Sequence, residues 1–159
     1  MGASHGTSEF AVESILRWRE TVGKHTFPAC SRIYITCGCG GSNGYRVKMW
    51  KYQLQEFANR VGLEIEVPHL PRGTSKWNKI EHRLFCYISA NRKGKPLADV
   101  QTAVDLIGST KTKTGLEVIC VLDDTEYKLA RKVSDEEFES ISIVKILPFE
   151  AWNYKILPT

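Results

Sequence analysis

Apolar side chains fall at helical intervals in several parts of this chain and gather into short β-branched runs between them. Val47, Trp50, Leu54, Phe57, Ala58 and Val61 share one helical face, Arg46, Lys48, Lys51, Glu56 and Arg60 occupy the other, and Gly62 ends the pattern. An earlier helix is expected from Ser8 and Glu9 to about Val22, with Ala11, Ile15, Trp18 and Val22 on one face and Gly23 and Pro28 closing it. Residues 32–36 (RIYIT) and 63–67 (LEIEV) read as strands. Strand, helix, strand in that order is a βαβ unit with parallel strands, which places the chain in the α/β class with helices flanking a sheet.

Further along, a helix is expected over residues 97–109 through Leu97, Val100, Val104 and Ile107, and a strand over residues 116–122 (LEVICVL). Ser134-Asp135-Glu136-Glu137 is a capping box that opens a short helix. Residues 141–147 read as extended, and a tail holding Trp152, Tyr154 and Ile156 as packing back on the rest. No repeat, low-complexity tract or long linker divides the chain, which predicts one domain over residues 1–159.

Residues 71–85 (PRGTSKWNKIEHRLF) form the most informative stretch. Gly73 supplies a turn, Ser75 a cap, and Trp77, Ile80, Leu84, Phe85 and Ile88 a helical apolar arc. Glu81 falls inside that arc. A carboxylate on a buried face requires a cation, a metal or several donors, because burying it unpaired is costly. Lys76 or His69 is the expected partner if no metal is held.

Composition narrows the classes. Of 159 residues, 42% are hydrophobic and 25% charged, which suits a soluble globular domain with a real core. The net charge of +4 permits a polyanionic partner without establishing one. No apolar stretch is long enough to cross a membrane and no apolar signal core opens the chain, so a cytoplasmic location is expected. Cys30, Cys37, Cys39, Cys86 and Cys120 are then expected as free thiols.

Other groups bear on chemistry. The corner at residues 38–44 (GCGGSNG) lies between a strand and a helix, beyond the carboxyl end of the strand, where open α/β sheets place their sites. It lacks the Lys-Ser/Thr ending of a P-loop and the spacing of a dinucleotide fingerprint, so a tight structural turn is the simpler reading. Cys37 and Cys39 form a lone Cys-x-Cys pair with no second pair to complete a zinc site. His69 and His82 flank the Glu81 segment as possible proton or metal ligands. Arg92, Lys93 and Lys95 form the densest basic run, suited to phosphate contacts, and Asp123-Asp124 ends an expected strand as metal-binding acids can.

Taken together, FAVESI at residues 10–15, GGSNG at 40–44 and the long motif at 71–85 resemble the ISAzo13-family insertion-sequence transposases, with KTGL at 113–116 and VSDEE at 133–137 in agreement. The resemblance implies a DDE transposase with an RNase H-like fold, in which three carboxylates hold two Mg²⁺ ions for in-line attack on a phosphodiester. It places the third acid at Glu81, which would also be the metal ligand. It implies DNA as partner, with Arg72, Lys76, Lys79, Arg92, Lys93 and Lys95 as candidate nucleic-acid contacts and a transposase oligomer as a possible assembly. It implies neither a membrane nor a small-molecule substrate.

The chain departs from the family pattern where the second acid should stand. The family reads Ile-Thr-Ala-Asp-Gly-Gly-Gly-Ser-Asn-Gly; here the Asp position is Gly38, its neighbour is Cys39, and a Trp the family carries after Asn91 is Arg92. The first acid would lie on a strand preceding Met1. The expectation is therefore an RNase H-like fold truncated at its N-terminus, with residues 1–95 as the RNase H-like portion and 96–159 as a family-specific extension. Such a chain would be catalytically inactive. The alternatives are a residual DNA-binding or interaction module acting on full-length transposase, and a nuclease in which Asp123 or Asp124 replaces the missing acid.

Overall fold

The computed structural model describes residues 1–3, 5–129 and 131–159, and for Ser75 only the backbone. The chain divides into two compact units. One comprises Gly6–Arg72 with Tyr127–Thr159, the other Met1–His5 with Gly73–Glu126.

The first unit holds the sheet. Its opening helix, α1 (Ser8–Trp18), is capped by Thr7, whose side chain accepts from the Phe10 N–H, and not by Ser8. The chain then widens into a π-helical turn over Arg19–Gly23 and a last α-helical turn at Lys24–Thr26. A wider turn takes more residues, so apolar positions beyond Trp18 fall out of phase with the stripe. The buried residues of α1 are accordingly Ser8, Val12 and Leu16, Ala11 and Ile15 flank them, and Trp18 and Val22 face solvent.

Strand β1 (Arg32–Tyr34), helix α2 (Lys48–Val61) and strand β2 (Glu64–Val67) form the expected βαβ unit. The strands pair in parallel, Ile33 beside Ile65. Gly62 closes α2 in the left-handed region at φ 66°, where a side chain would be strained. Helix α2 buries Trp50, Leu54, Phe57 and Ala58 on the face the periodicity marked.

The capping box forms: the Ser134 hydroxyl accepts from the Glu137 N–H, and the Glu137 carboxylate accepts from the Ser134 N–H. It opens a short helix at Asp135–Glu139, followed by β3 (Ile143–Lys145) and β4 (Tyr154–Ile156). The tail does more than pack back. Strand β4 inserts antiparallel between β2 and β3, giving a mixed four-stranded sheet in the order β1-β2-β4-β3. Ile65, Val67, Tyr154 and Ile156 point into the core beneath α1 and α2. On the opposite face Arg32 pairs with Glu64 and Glu66, and Lys155 pairs with the same two carboxylates. This alternation is the period-two signature of a sheet with one dry face.

The second unit is lightly packed. Ser75–Trp77 is a single 3₁₀ turn, Glu81–Phe85 a π-helical turn and Cys86–Arg92 a short α-helix (α3). The Ser75 cap expected here lies outside the described side chains. Helix α4 (Val100–Gly108) is capped by Asp99, which accepts from the Thr102 N–H at 2.6 Å, and it buries Val104. The strand expected over residues 116–122 does not form. Ile119 is 81% exposed, and the segment's pairing is confined to isolated bridges such as Lys111 to Glu117. Its apolar run lacks a neighbouring strand, and a strand without a ladder has nothing to hold it extended.

Candidate functional site

Pairing of β1 with β2 continues past the strands themselves. The Ile35 N–H donates to Glu66, Cys37 N–H to Pro68, and Leu70 N–H to the Cys37 carbonyl. This extension delivers the chain to the glycine corner beyond the carboxyl ends of both strands. Gly41 adopts φ +73° to start a 3₁₀ turn at Gly41–Asn43, and the Gly44 N–H closes on the Gly41 carbonyl. A β-carbon at Gly44 would meet the Cys39 carbonyl oxygen at 2.9 Å, so this glycine is required by close backbone approach. At Gly38 a β-carbon would meet nothing within 4 Å. A side chain is sterically permitted where the second acid of the family pattern would stand.

The corner is braced from three directions. Ser8 Oγ donates to the Ser42 carbonyl at 2.6 Å. Cys39 Sγ lies 2.9 Å from the Leu70 carbonyl oxygen. His69 Nε2 lies 3.1 Å from the Asn43 carbonyl oxygen. His69 therefore serves this corner, with its ring engaged by backbone, and is not the partner of Glu81. Cys37 is buried in the core, where desolvation pushes its thiol up to about 12. With Cys39 turned to Leu70, the Cys-x-Cys pair does not converge. All five cysteines are free thiols, as expected.

Glu81 stands in the other unit as the first residue of its π-helical turn. Its N–H donates to the Asn78 carbonyl at 3.0 Å. The expected buried face is not buried: no residue of Glu81–Phe85 or Cys86–Arg92 is buried, and Trp77 is 67% exposed. The π turn is again the local reason, since it rotates Glu81 to Phe85 away from the 100° step on which the arc was drawn. Glu81 itself is half-buried, and among the described residues its carboxylate has no hydrogen bond or ion pair. Lys76 does not pair with it; instead His82 Nε2 lies 2.5 Å from the Lys76 carbonyl oxygen.

The candidate phosphate-contacting cations are all exposed: Arg72 in the sheet unit, and Lys76, Lys79, Arg92, Lys93 and Lys95 in the other. Lys95 reaches back to Asn91 at 3.3 Å, and Gly94 turns the chain at φ +75°. Asp123 is buried and accepts from the Thr125 N–H, while its backbone pairs with Met1 and Ala3. Sequence reasoning missed Ser8 as a brace for the corner, because adjacent Thr7 and Ser8 offer the same capping chemistry and only burial distinguishes them.

These features define an α/β protein with its candidate corner past the carboxyl ends of a parallel strand pair. Over residues 1–158 the sequence matches the family described as the Rhodopirellula transposase DDE domain, and the chain belongs to that family. No curated protein and no solved structure matches it. Family membership implies a divalent metal and DNA. The donors present do not fit a two-metal centre: among the described residues no three His, Cys, Asp or Glu side chains converge, and position 38 offers no ligand.

Proposed function

We propose that this chain is a degenerate member of the DDE transposase family that does not complete strand transfer by itself. The observation that carries the reading is Gly38, a residue without donors at an open position of the corner where the second acid belongs. A two-metal centre clamps both the attacking and the leaving oxygen, and Glu81 alone is too few carboxylates to hold it. The mixed four-stranded sheet with flanking helices is compatible with an RNase H-like frame. In this reading residues 1–95 are that portion and 96–159 the extension.

Titration calorimetry with Mg²⁺ or Mn²⁺ tests it. Weak, non-stoichiometric uptake is expected for the natural chain. Tight stoichiometric binding abolished by Glu81→Gln would overturn it.

A second reading, DNA binding without chemistry, is favoured by Arg92, Lys93 and Lys95, which stand exposed around one turn and form no ion pair among the described residues. Phosphate contacts release counterions, so affinity should fall steeply with salt. Neutralising the three residues should flatten that dependence; no binding at low salt would sink this reading. Pairing with a full-length transposase and a cytoplasmic location accompany it. Among the described residues no helix is long and apolar enough to cross a membrane.

A further inference from the structure

Strand β1 lies at one edge of the sheet, whose order is β1-β2-β4-β3. The Ile35 N–H donates to Glu66 and the Glu64 N–H to the Ser31 carbonyl, so the odd-numbered residues along β1 serve β2. Hydrogen-bonding groups alternate along a strand, and Arg32 and Tyr34 therefore turn their N–H and C=O outward. Among the described residues no strand or bridge takes these groups up. An open edge is a template for another strand unless charge, proline or a bulge guards it. The opposite edge, β3, carries the exposed Lys145. On β1 the one charge, Arg32, is already paired with Glu64 and Glu66.

The flank of this edge is apolar and unfinished. Beside it lies a cleft of about 260 Å³ whose walls include Trp18, Arg19 and Phe27. Phe27 and Tyr34 are 56% and 63% exposed. The Trp18 ring lies against Gly23, where a β-carbon would come within 3.0 Å of it. Arg19 has a buried Nη1 without a hydrogen-bond partner among the described residues. Buried donors are normally paired, so this one awaits an acceptor that those residues do not supply.

The residues of β1 say which strand fits. Laid antiparallel against itself about Ile33, β1 sets Arg32 opposite Tyr34 of the second copy, twice over. The pairs at 32 and 34 are then the hydrogen-bonded ones, which uses all four outward groups of each strand, and Ile33 meets Ile33 at the close, non-bonded position. Arg32 and Tyr34 both lie on the exposed face. Each guanidinium thus comes beside a ring of the other copy, and no like charges stand opposite.

We propose that β1 is a dimerisation edge: a second copy of this chain adds its own β1 antiparallel about a two-fold axis at Ile33, joining two four-stranded sheets into one. The occupant is this chain itself because the register is self-complementary in hydrogen bonds and in charge. The inference concerns the sheet unit alone and is independent of metal and DNA.

Sedimentation velocity on the full natural chain, over a dilution series up to about 1 mM, tests it together with amide exchange. A monomer–dimer equilibrium is expected, with exchange of the Tyr34 amide slowed by at least about tenfold in the dimer, the factor carried by one hydrogen bond. Tyr34→Pro removes an outward N–H that β2 does not use, which an edge strand tolerates, and should leave a folded monomer. Tyr34→Phe keeps both ring and N–H and should still pair. A natural chain that stays monomeric throughout overturns the proposal. So does a dimer whose Tyr34 amide exchanges no slower than in the dilute protein, or one that Tyr34→Pro leaves intact. The first two results need no substitution, so they decide the matter even if Tyr34→Pro does not fold.

Discussion

Ser8 Oγ donates a 2.6 Å hydrogen bond to the carbonyl oxygen of Ser42, joining the first residue of α1 to the middle of the glycine corner. Ser8 is buried and Ser42 half-buried, so removing the hydroxyl leaves the Ser42 carbonyl without this donor. Ser8→Ala should cost about 1–3 kcal/mol in urea unfolding. Ser14, whose exposed hydroxyl only returns to its own helix, should cost no more than about 0.5 kcal/mol as Ser14→Ala. Equal effects would mean that the Ser42 contact is not made.

Two glycines of the corner should respond in opposite ways to a side chain. Gly44→Ala forces a β-carbon to 2.9 Å from the Cys39 carbonyl oxygen and should cost on the order of 1–3 kcal/mol. Gly38→Asp meets open space and should change stability by less than about 0.5 kcal/mol. Thermal unfolding of the pair checks this, and a strongly destabilised Gly38→Asp would show that the position is not open.

Burial also ranks the two units. Leu54, fully buried, should lose about 2–5 kcal/mol as Leu54→Ala, because the cavity left beneath the sheet cannot close. Trp77, 67% exposed, should lose less than about 0.5 kcal/mol as Trp77→Ala despite its size. The reverse order in denaturant titrations would restore the buried face that periodicity suggested around Glu81.

Acid weakens one surface tie in a definite direction. The hydrogen bond from Lys48, and then its charge, hold the Asp135 carboxyl below the ordinary range. The folded carboxyl is the stronger acid, so its contribution is full above the unfolded value of about 3.9 and vanishes as pH falls through the lower folded one. Asp135→Asn should lower the urea midpoint at neutral pH, and its curve should merge with that of the natural chain at the acid end.

Alkali acts through the core. Burial pushes the Cys37 thiol up to about 12, whereas an unfolded thiol ionises near about 8.5. The folded chain binds this proton more tightly, so stability should fall as pH rises above about 8.5. Cys37→Ala should flatten the decline between about 8.5 and 10, below the range where Tyr154, also raised by burial, contributes. A slope unchanged by the substitution would assign the decline to other groups.

The βαβ unit was legible because its signals are local: the six-residue stripe of α2, the stop at Gly62, and two β-branched runs of suitable length. The capping box at Ser134 was legible for the same reason. Residues 116–122 carry an equally good strand pattern and form none, whereas Tyr154, Lys155 and Ile156 carry a weaker one and lie inside the sheet. A strand is completed by its neighbours, and composition does not name them. The arcs through Trp18 and Glu81 failed because both run into π-helical turns, which no single residue type announces. The candidate acids came from motif resemblance; the ties that order the corner, Ser8 to Ser42 and His69 to Asn43, join distant positions through backbone oxygens and leave no trace in side-chain chemistry.

The position of β4 sets an order in time. Tyr154 and Ile156 come near the end of the chain, yet they pair on one side with β2 and on the other with β3. Until Ile156 has been synthesised, β2 has only β1 beside it, and the underside of α2 has no complete floor. Closing so large a loop costs entropy before any contact repays it, so assembly of the sheet should be slow relative to formation of α2. A chain stopped before Tyr154 would leave β2 and β3 with a gap between them, and the two halves of the sheet would lose their common strand together.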